Sequence, residues 1–355
     1  MSYWIDQPFD TTIKTPEIKI IKSELSKNNN DFLPEGFALR TLSVSNLDDI
    51  YGLLNNHYIE DNNHIARISF SKDFLYWYLK YIPPGFIVGM TYKNKLVGMI
   101  TAIFIDMIIY DKRIKVPYIN FLCIQSKIRK LGLAQFLFNE IKERLTNIKI
   151  TYAFFTGMKQ VTQSFCRTKD FIIPINYKKL EEGGFLEEDL TPIPKMEDNP
   201  LHLMVAADIE TVLPKLNKYL EKFSVKPYFT NDSVYHFLLP KKNIVYSFVN
   251  RNQKGDVTDF ICVYKNYLYC IDKNKVVSVG QLSFYFCETM TITQLVSYLL
   301  DKLPSYGIDQ LVFRDTGENM KINITKFSTN GELYYFFYNV AIKETNNDSI
   351  HFFPF

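Results

Sequence analysis

Twice along the chain an apolar strand run is followed by an amphipathic helix and then by another strand. Residues 118–124, 131–146 and 150–156 form the first set, and 281–287, 291–303 and 308–313 repeat its order and approximate lengths. Two parallel strands cannot be joined by a tight turn, so each helix is read as the crossover of a parallel pair. The pattern predicts an α/β (α+β) fold with mixed sheets, arranged as two similar units in tandem. Unrelated α/β chains also echo in this way, so the repeat sets the class and leaves the family open. Apolar Leu133, Phe136, Leu137, Ile141 and Leu145 share one helical face. Upstream, Ser45 with Asp48 reads as a helix cap before Leu47, Ile50, Tyr51 and Leu54. Strands are expected at 86–92, 96–110 and 117–125, with Lys93-Asn94 as a tight turn. The second half predicts a helix at 208–223 and strands at 244–250, 257–264 and 333–340. Between the halves, the Glu-Glu-Gly-Gly run and the prolines from Leu180 to Pro200 read as a connector. Domains are accordingly expected at 1–185 and 186–355.

A length of 355 residues agrees with about two domains. The 41 basic and 38 acidic residues nearly cancel, which leaves no overall charge footprint for nucleic acid. A hydrophobic content of 47% excludes global disorder. The longest apolar stretch, Met99 to Tyr110, contains Asp106 and falls short of the roughly 20 residues that cross a bilayer. The first residues lack the basic flank and apolar run of a secretory leader. The 5 cysteines form no CxxC pair and are odd in number, as expected of reduced thiols in the cytoplasm. His57, His64, His202, His236 and His351 show no metal-ligand spacing, so no metal is expected.

The chemistry-bearing segment is Arg129-Lys130-Leu131-Gly132-Leu133-Ala134, between an apolar strand and an amphipathic helix. Backbone N–H groups at a helix start face the positive end of its dipole. Gly132 lets a phosphate approach the backbone, while Arg129 and Lys130 add charge. Such a loop suits a pyrophosphate; a basic surface turn is the plain alternative. The R-x-x-G-x-A pattern resembles the acyl-CoA loop of GNAT acyltransferases. The preceding Tyr118-Ile119-Asn120-Phe121-Leu122-Cys123-Ile124 resembles the E-[IV]-N-F-L-C-V signature of protein N-myristoyltransferases. Blocks along nearly the whole chain add to this. Tyr3-Trp4 with Gln7-Pro8 is similar to that family's F-W-x-x-Q-P arm. Leu33-Pro34-Glu35-Gly36-Phe37, Tyr58-Ile59-Glu60-Asp61, Pro174-Ile175-Asn176, Val257-Thr258-Asp259-Phe260 and Ser283-Phe284-Tyr285 match further blocks in order.

The resemblance implies two GNAT-like units with pseudo-twofold symmetry, and transfer of a myristoyl group from myristoyl-CoA to an N-terminal glycine amine. Backbone amides of Phe121 and Leu122 would form the oxyanion hole. Asn120 and Thr156 would hold the amine, and the Phe355 carboxylate would take its proton. Acyl-CoA would meet Tyr3, Trp4, Tyr58, residues Phe121 to Ile124 (with Cys123 a buried small residue), and the loop from Arg129 and Lys130 through Leu131, Gly132 and Leu133 to Ala134. The peptide would meet Ile59, Glu60, Asp61 and Asn63, then Gly157, Phe185, Ser283, Tyr285, Asn330 and Gly331. Glu60 and Asp61 could pair with a basic substrate or lie in a solvated loop. The apolar ending His351-Phe352-Phe353-Pro354-Phe355 is expected to thread into the core, with docking on the surface as the alternative. No resident cofactor, nucleic acid or stable membrane insertion is implied, and a monomer is expected. Departures concentrate in peptide recognition and the CoA loop. The family's glutamate before I-N-F-L-C is Tyr118, its R-S-K-R is Arg129-Lys130-Leu131-Gly132, and the Lys326–Gly331 glycine loop is shortened. A non-catalytic acyl-CoA or peptide binder and a GNAT acylating lysine are the other readings.

Overall fold

The computed structural model describes residues 2–24, 32–60, 66–185 and 198–353. The chain divides into two compact units: 1–60, 68–167 and 333–345 in the first, and 61–67, 168–332 and 346–355 in the second.

Elements in the first half of the chain are α1 (Ser2–Ile5), β1 (Phe37–Thr41), α2 (Leu47–His57), α3 (Lys72–Tyr81), β2 (Ile87–Tyr92), β3 (Lys95–Ile109), β4 (Lys112–Ile124), α4 (Ala134–Asn147), β5 (Ala153–Gly157) and β6 (Cys166–Pro174). The second half adds α5 (Ile209–Leu220), β7 (Val245–Arg251), β8 (Val257–Cys270), β9 (Lys275–Cys287), α6 (Ile292–Lys302), β10 (Gln310–Arg314) and β11 (Phe327–Tyr338).

In the first unit the sheet runs β1-β2-β3-β4-β5 and ends on the later part of β11. All neighbours are antiparallel except β4 and β5, where Tyr118 lies opposite Phe154 in parallel register. Helix α4 bridges that pair and buries Leu137, Ile141 and Leu145, each worth about 1.5–3 kcal/mol of apolar burial. In the second unit the order is β6-β10-β9-β8-β7. Its one parallel pair among these is β9 with β10, with Val279 opposite Gln310, bridged by α6. Leu295, Val296, Leu299 and Leu300 of α6 pack with Ile261, Val263, Leu282 and Leu311. Both units therefore hold the strand–helix–strand set that the sequence repeats.

Three local expectations are corrected. Ser43, rather than Ser45, is the cap: its Oγ accepts the Ser45 N–H, while Asn46 Oδ1 accepts the Ser43 N–H. This box closes a 3-10 turn at Val44–Asn46, and α2 starts at Leu47. Strands β4, β8 and β9 run further than their apolar cores, because the exposed ends of the hairpins carry Lys112, Arg113, Lys115 and Lys275. Strand β6 was not expected, since the sequence CRTKDFIIP alternates poorly. Its Asp170 is paired with Arg314 of β10 at 3.1 Å, so a charge occupies a place where an apolar residue would have signalled a strand.

Candidate active site

The residues expected to carry the chemistry meet at one irregularity of β4. Met99 pairs with Cys123 and Thr101 with Asn120, so Phe121 and Leu122 together face the single Ile100. This is a β-bulge, which takes a residue out of the ladder and re-aims the backbone. Phe121 adopts φ 51°, a left-handed conformation that costs a non-glycine residue about 1–2 kcal/mol. The surrounding rings over-determine it. Phe121 is 2% exposed and meets Tyr78 at 5.0 Å, Phe70 at 5.3 Å and Tyr58 at 5.8 Å between centroids. Without a glycine at the bulge, nothing in the sequence marks this turn of the chain.

Asn120 is pinned beside the bulge. Its Oδ1 accepts the Phe121 N–H at 2.8 Å and the Tyr58 hydroxyl at 3.4 Å, and its Nδ2 donates to the Tyr78 hydroxyl at 3.3 Å. Continuing the β4/β5 register by one residue brings Thr156 level with Asn120, on the strand that ends at Gly157. The Thr156 Oγ1 lies 3.0 Å from the hydroxyl of the buried Tyr118. Burial pushes the Tyr58 and Tyr78 phenols well above their ordinary range, with Tyr118 adding to both, so these hydroxyls remain neutral. Tyr78 and Tyr118 were missed as polar partners. Their only sequence signal is the two-residue spacing of Tyr118 to Asn120 in a strand. Burial also pushes the Cys123 thiol up to about 12, and its Sγ donates to the His57 carbonyl, which leaves it unreactive.

After Ile124 the chain enters a 3-10 turn, Ser126–Leu131, closed by Gly132 at φ 71°. Leu133, buried, then opens α4 with no side chain capping its first turn and no acidic residue in it. Lys130 and Leu131 are exposed, and Ala134 begins the helix. Arg129 turns back: its Nε donates to the Ile124 carbonyl at 3.0 Å, and Nη2 donates to the carbonyls of His57 and Tyr58. It satisfies carbonyls at the end of α2, so Arg129 staples the loop as well as charging it. The N-terminal arm lies in the same unit. Tyr3 stacks on Phe138 at 5.4 Å and Trp4 on Phe155 at 5.4 Å, while Gln7 Oε1 accepts the Tyr338 hydroxyl.

The other expected residues are placed as follows. Ile59 and Glu60 are half-buried after α2, whereas Asp61 and Asn63 fall outside the described residues. Phe185 is half-buried in the second unit. Ser283 and Tyr285 are buried on β9, their hydroxyls donating to Cys262 O and to Asn319 Oδ1 at 2.9 Å each. The side chain of Asn330 is not described; the Gly331 N–H donates to Thr329 Oγ1 at 2.9 Å. Ile350, His351, Phe352 and Phe353 are all 5% exposed or less, with Phe353 stacked on Tyr264 at 5.1 Å. The tail up to there is threaded into the core of the second unit; Phe355 lies outside the described residues. Among the described residues no group of three His, Cys, Asp or Glu could hold a metal ion, and no helix is long and apolar enough to cross a membrane.

The models of the two domains of myristoyl-CoA:protein N-myristoyltransferase match residues 17–168 (N-terminal) and 188–351 (C-terminal). The chain belongs to the N-myristoyltransferase family. It is therefore an acyltransferase by descent. A mimivirus protein (Acanthamoeba polyphaga mimivirus), named as a glycylpeptide N-tetradecanoyltransferase, is 54% identical over 90% of both chains. The Bos taurus glycylpeptide N-tetradecanoyltransferase 2 is 30% identical, over 90% of this chain and 68% of its own. Saccharomyces cerevisiae N-myristoyltransferase with bound myristoyl-CoA superposes with a TM-score of 0.86, covering 98% of this chain and 94% of that one at 22% identity. A GCN5-related N-acetyltransferase from Anabaena variabilis follows at a TM-score of 0.51 and 12% identity, over 85% and 72% of the chains. These last two likenesses speak for the fold.

Proposed function

We propose that this N-myristoyltransferase family member moves a tetradecanoyl group from myristoyl-CoA directly to the N-terminal glycine amine of protein substrates. The observation that carries the mechanism is the bulge at Phe121–Leu122. A strained, caged backbone re-aims the strand at Phe121–Leu122, and an amide donor turned to a thioester oxygen there is worth about 10²–10³ in rate; the Phe121 N–H would have to leave Asn120 Oδ1, at 2.8 Å, to join it. Level with the bulge, Thr156 offers an acceptor that fits an attacking amine; Asn120 is assigned to the amine by resemblance, its Oδ1 already accepting the Phe121 N–H and the Tyr58 hydroxyl. The Phe355 carboxylate is assigned the base, by resemblance, with help of about 10²–10⁴; the burial of Ile350 to Phe353 supports a terminal segment led through the core. The uncapped start of α4 after Gly132, with Lys130 beside it, suits the CoA phosphates. Tyr3, Trp4 and Tyr58 complete the acyl-CoA side, and Ser283, Tyr285 and the Asn330–Gly331 turn are assigned to the peptide. We place the enzyme in the cytoplasm as a monomer.

The test is mass spectrometry of a glycine-started peptide incubated with the chain and myristoyl-CoA. The expected product is larger by one tetradecanoyl group on the α-amine. Tight CoA binding without product would favour the binder. Product only on a lysine of an N-acetylated peptide would favour the lysine acyltransferase. Adding two residues after Phe355 should abolish turnover and spare CoA binding; undiminished turnover would remove the terminal carboxylate from the mechanism.

A further inference from the structure

Asn120 and Thr156 differ in how they are held. The Asn120 amide is fixed on both sides, by a backbone N–H and by two phenols. A threonine hydroxyl has one hydrogen and two lone pairs on a rotating bond, and its side chain has more than one accessible rotamer. Thr156 is half-buried near the end of a short strand, so packing alone does not choose among its orientations. The partner that does is Tyr118. Its ring packs against Phe154, two residues before Thr156, with centroids 5.5 Å apart. It is 2% exposed, and its hydroxyl ends 3.0 Å from Thr156 Oγ1.

We propose that Tyr118 is a positioning residue for acyl transfer, orienting the Thr156 hydroxyl so that its oxygen accepts a hydrogen bond from the incoming glycine amine. This rests on the acyl-transfer reading above. Either hydroxyl can donate across this contact; in the proposed arrangement Tyr118 donates to one lone pair of Thr156, the second is left for an amine N–H, and the amine's own lone pair points to the thioester. A phenol is suited to this task because it is neutral, so it fixes the threonine without offering a charge that would hold the amine as ammonium. Thr156 is then an oriented acceptor backed by buried Tyr118, beside an Asn120 whose amide is locked by Tyr58, Tyr78 and the Phe121 N–H.

The experiment is a double-mutant cycle on the full chain with Tyr118→Phe and Thr156→Val, reading kcat, the KM for each substrate and the melting temperature. Removing the Tyr118 hydroxyl should lower kcat about tenfold, the worth of roughly one oriented hydrogen bond. The KM for myristoyl-CoA should stay within a factor of two. In the Thr156→Val background the same substitution should cost less than twofold, because the group it orients is gone. Thr156→Ser, which keeps the oxygen, should remain sensitive to Tyr118→Phe. Equal losses in both backgrounds, an unchanged kcat, or a Tyr118→Phe chain that does not fold would each assign the hydroxyl to stability or to nothing, and overturn the proposal. The unaltered chain is assayed first. If it makes no acylated glycine peptide, the acyl-transfer reading fails and takes this one with it, an outcome distinct from the others.

Discussion

The strand–helix–strand set of the first unit and that of the second share a topology and differ at the turn into the helix. In the first, β4 ends in a bulge, a basic 3-10 turn follows, and α4 opens at Leu133 with no side-chain cap. In the second, the corresponding turn is filled from within. Asp259 Oδ1 accepts the N–H groups of Glu288, Thr289 and Met290 at 3.0 Å each. Its Oδ2 accepts from Asn250, Thr258 and Thr289. Thr291 and Gln294 then cap α6 reciprocally. A carboxylate of the protein itself occupies the turn that, in the first unit, we propose serves the CoA phosphates. Two turns of like topology thus differ, one without a side-chain cap and one closed by a carboxylate.

Removing the internal anion should break the second turn most. Asp259→Ala orphans several donors at a site that is 0% exposed, so a loss of at least about 3 kcal/mol is expected in the urea midpoint. Burial raises the Asp259 carboxyl, but its hydrogen bonds prevail and hold it below the ordinary value. Its contribution is therefore present above pH ~4 and lost as the pH falls through its lowered value. A loss under about 1 kcal/mol would mean that the closed turn owes little to this carboxylate.

His351 sharpens the same comparison, since the closed unit buries an imidazole among Phe223, Tyr219, Phe284 and Tyr285. Burial pushes its pKa down to about 4, against the raising pull of the Ser283 backbone and of Glu318, with Lys222 lowering it further. Protonation thus favours the unfolded chain. The neutral imidazole's stability is complete above pH ~6.5 and declines toward pH ~4, by about 3 kcal/mol in all. His351→Leu should flatten that part of the stability–pH curve; an unchanged curve would refute the assignment.

At the open turn, Gly132→Ala should cost about 1–2 kcal/mol through its positive φ alone, because nothing lies within 4 Å of the added carbon. Its larger signature should be weaker myristoyl-CoA binding, measured by calorimetry, with the fold retained. The smallest effect is expected from Thr291→Ala, about 1 kcal/mol for a lost cap.

Periodicity carried the helices and the repeated sets, and the positive φ values of Lys93 and Asn94 sit where the sequence placed a tight turn. What escaped was decided by contacts far apart in sequence. The bulge depends on rings from Tyr58, Phe70 and Tyr78, none of them near Phe121 in the chain. Arg129 reads as a phosphate ligand until the end of α2 supplies carbonyls for it. Strand β6 was hidden by the Asp170–Arg314 pair, which satisfies a charge that sequence patterning assigns to water. Asn120 and Thr156 were legible as motif residues; the tyrosines behind them were legible only as bulky strand and helix residues.

The closing stretch of the chain is shared out, with residues 333–345 completing the first unit and 346–353 lying in the second. Strand β5 therefore finds its β11 neighbour, and the β8 ring of Tyr264 finds Phe353, far along the chain. Each unit is assembled from segments far apart in the chain. Shortening the chain within 333–353 should therefore disturb both units at once, by way of β11 in one and Phe353 in the other.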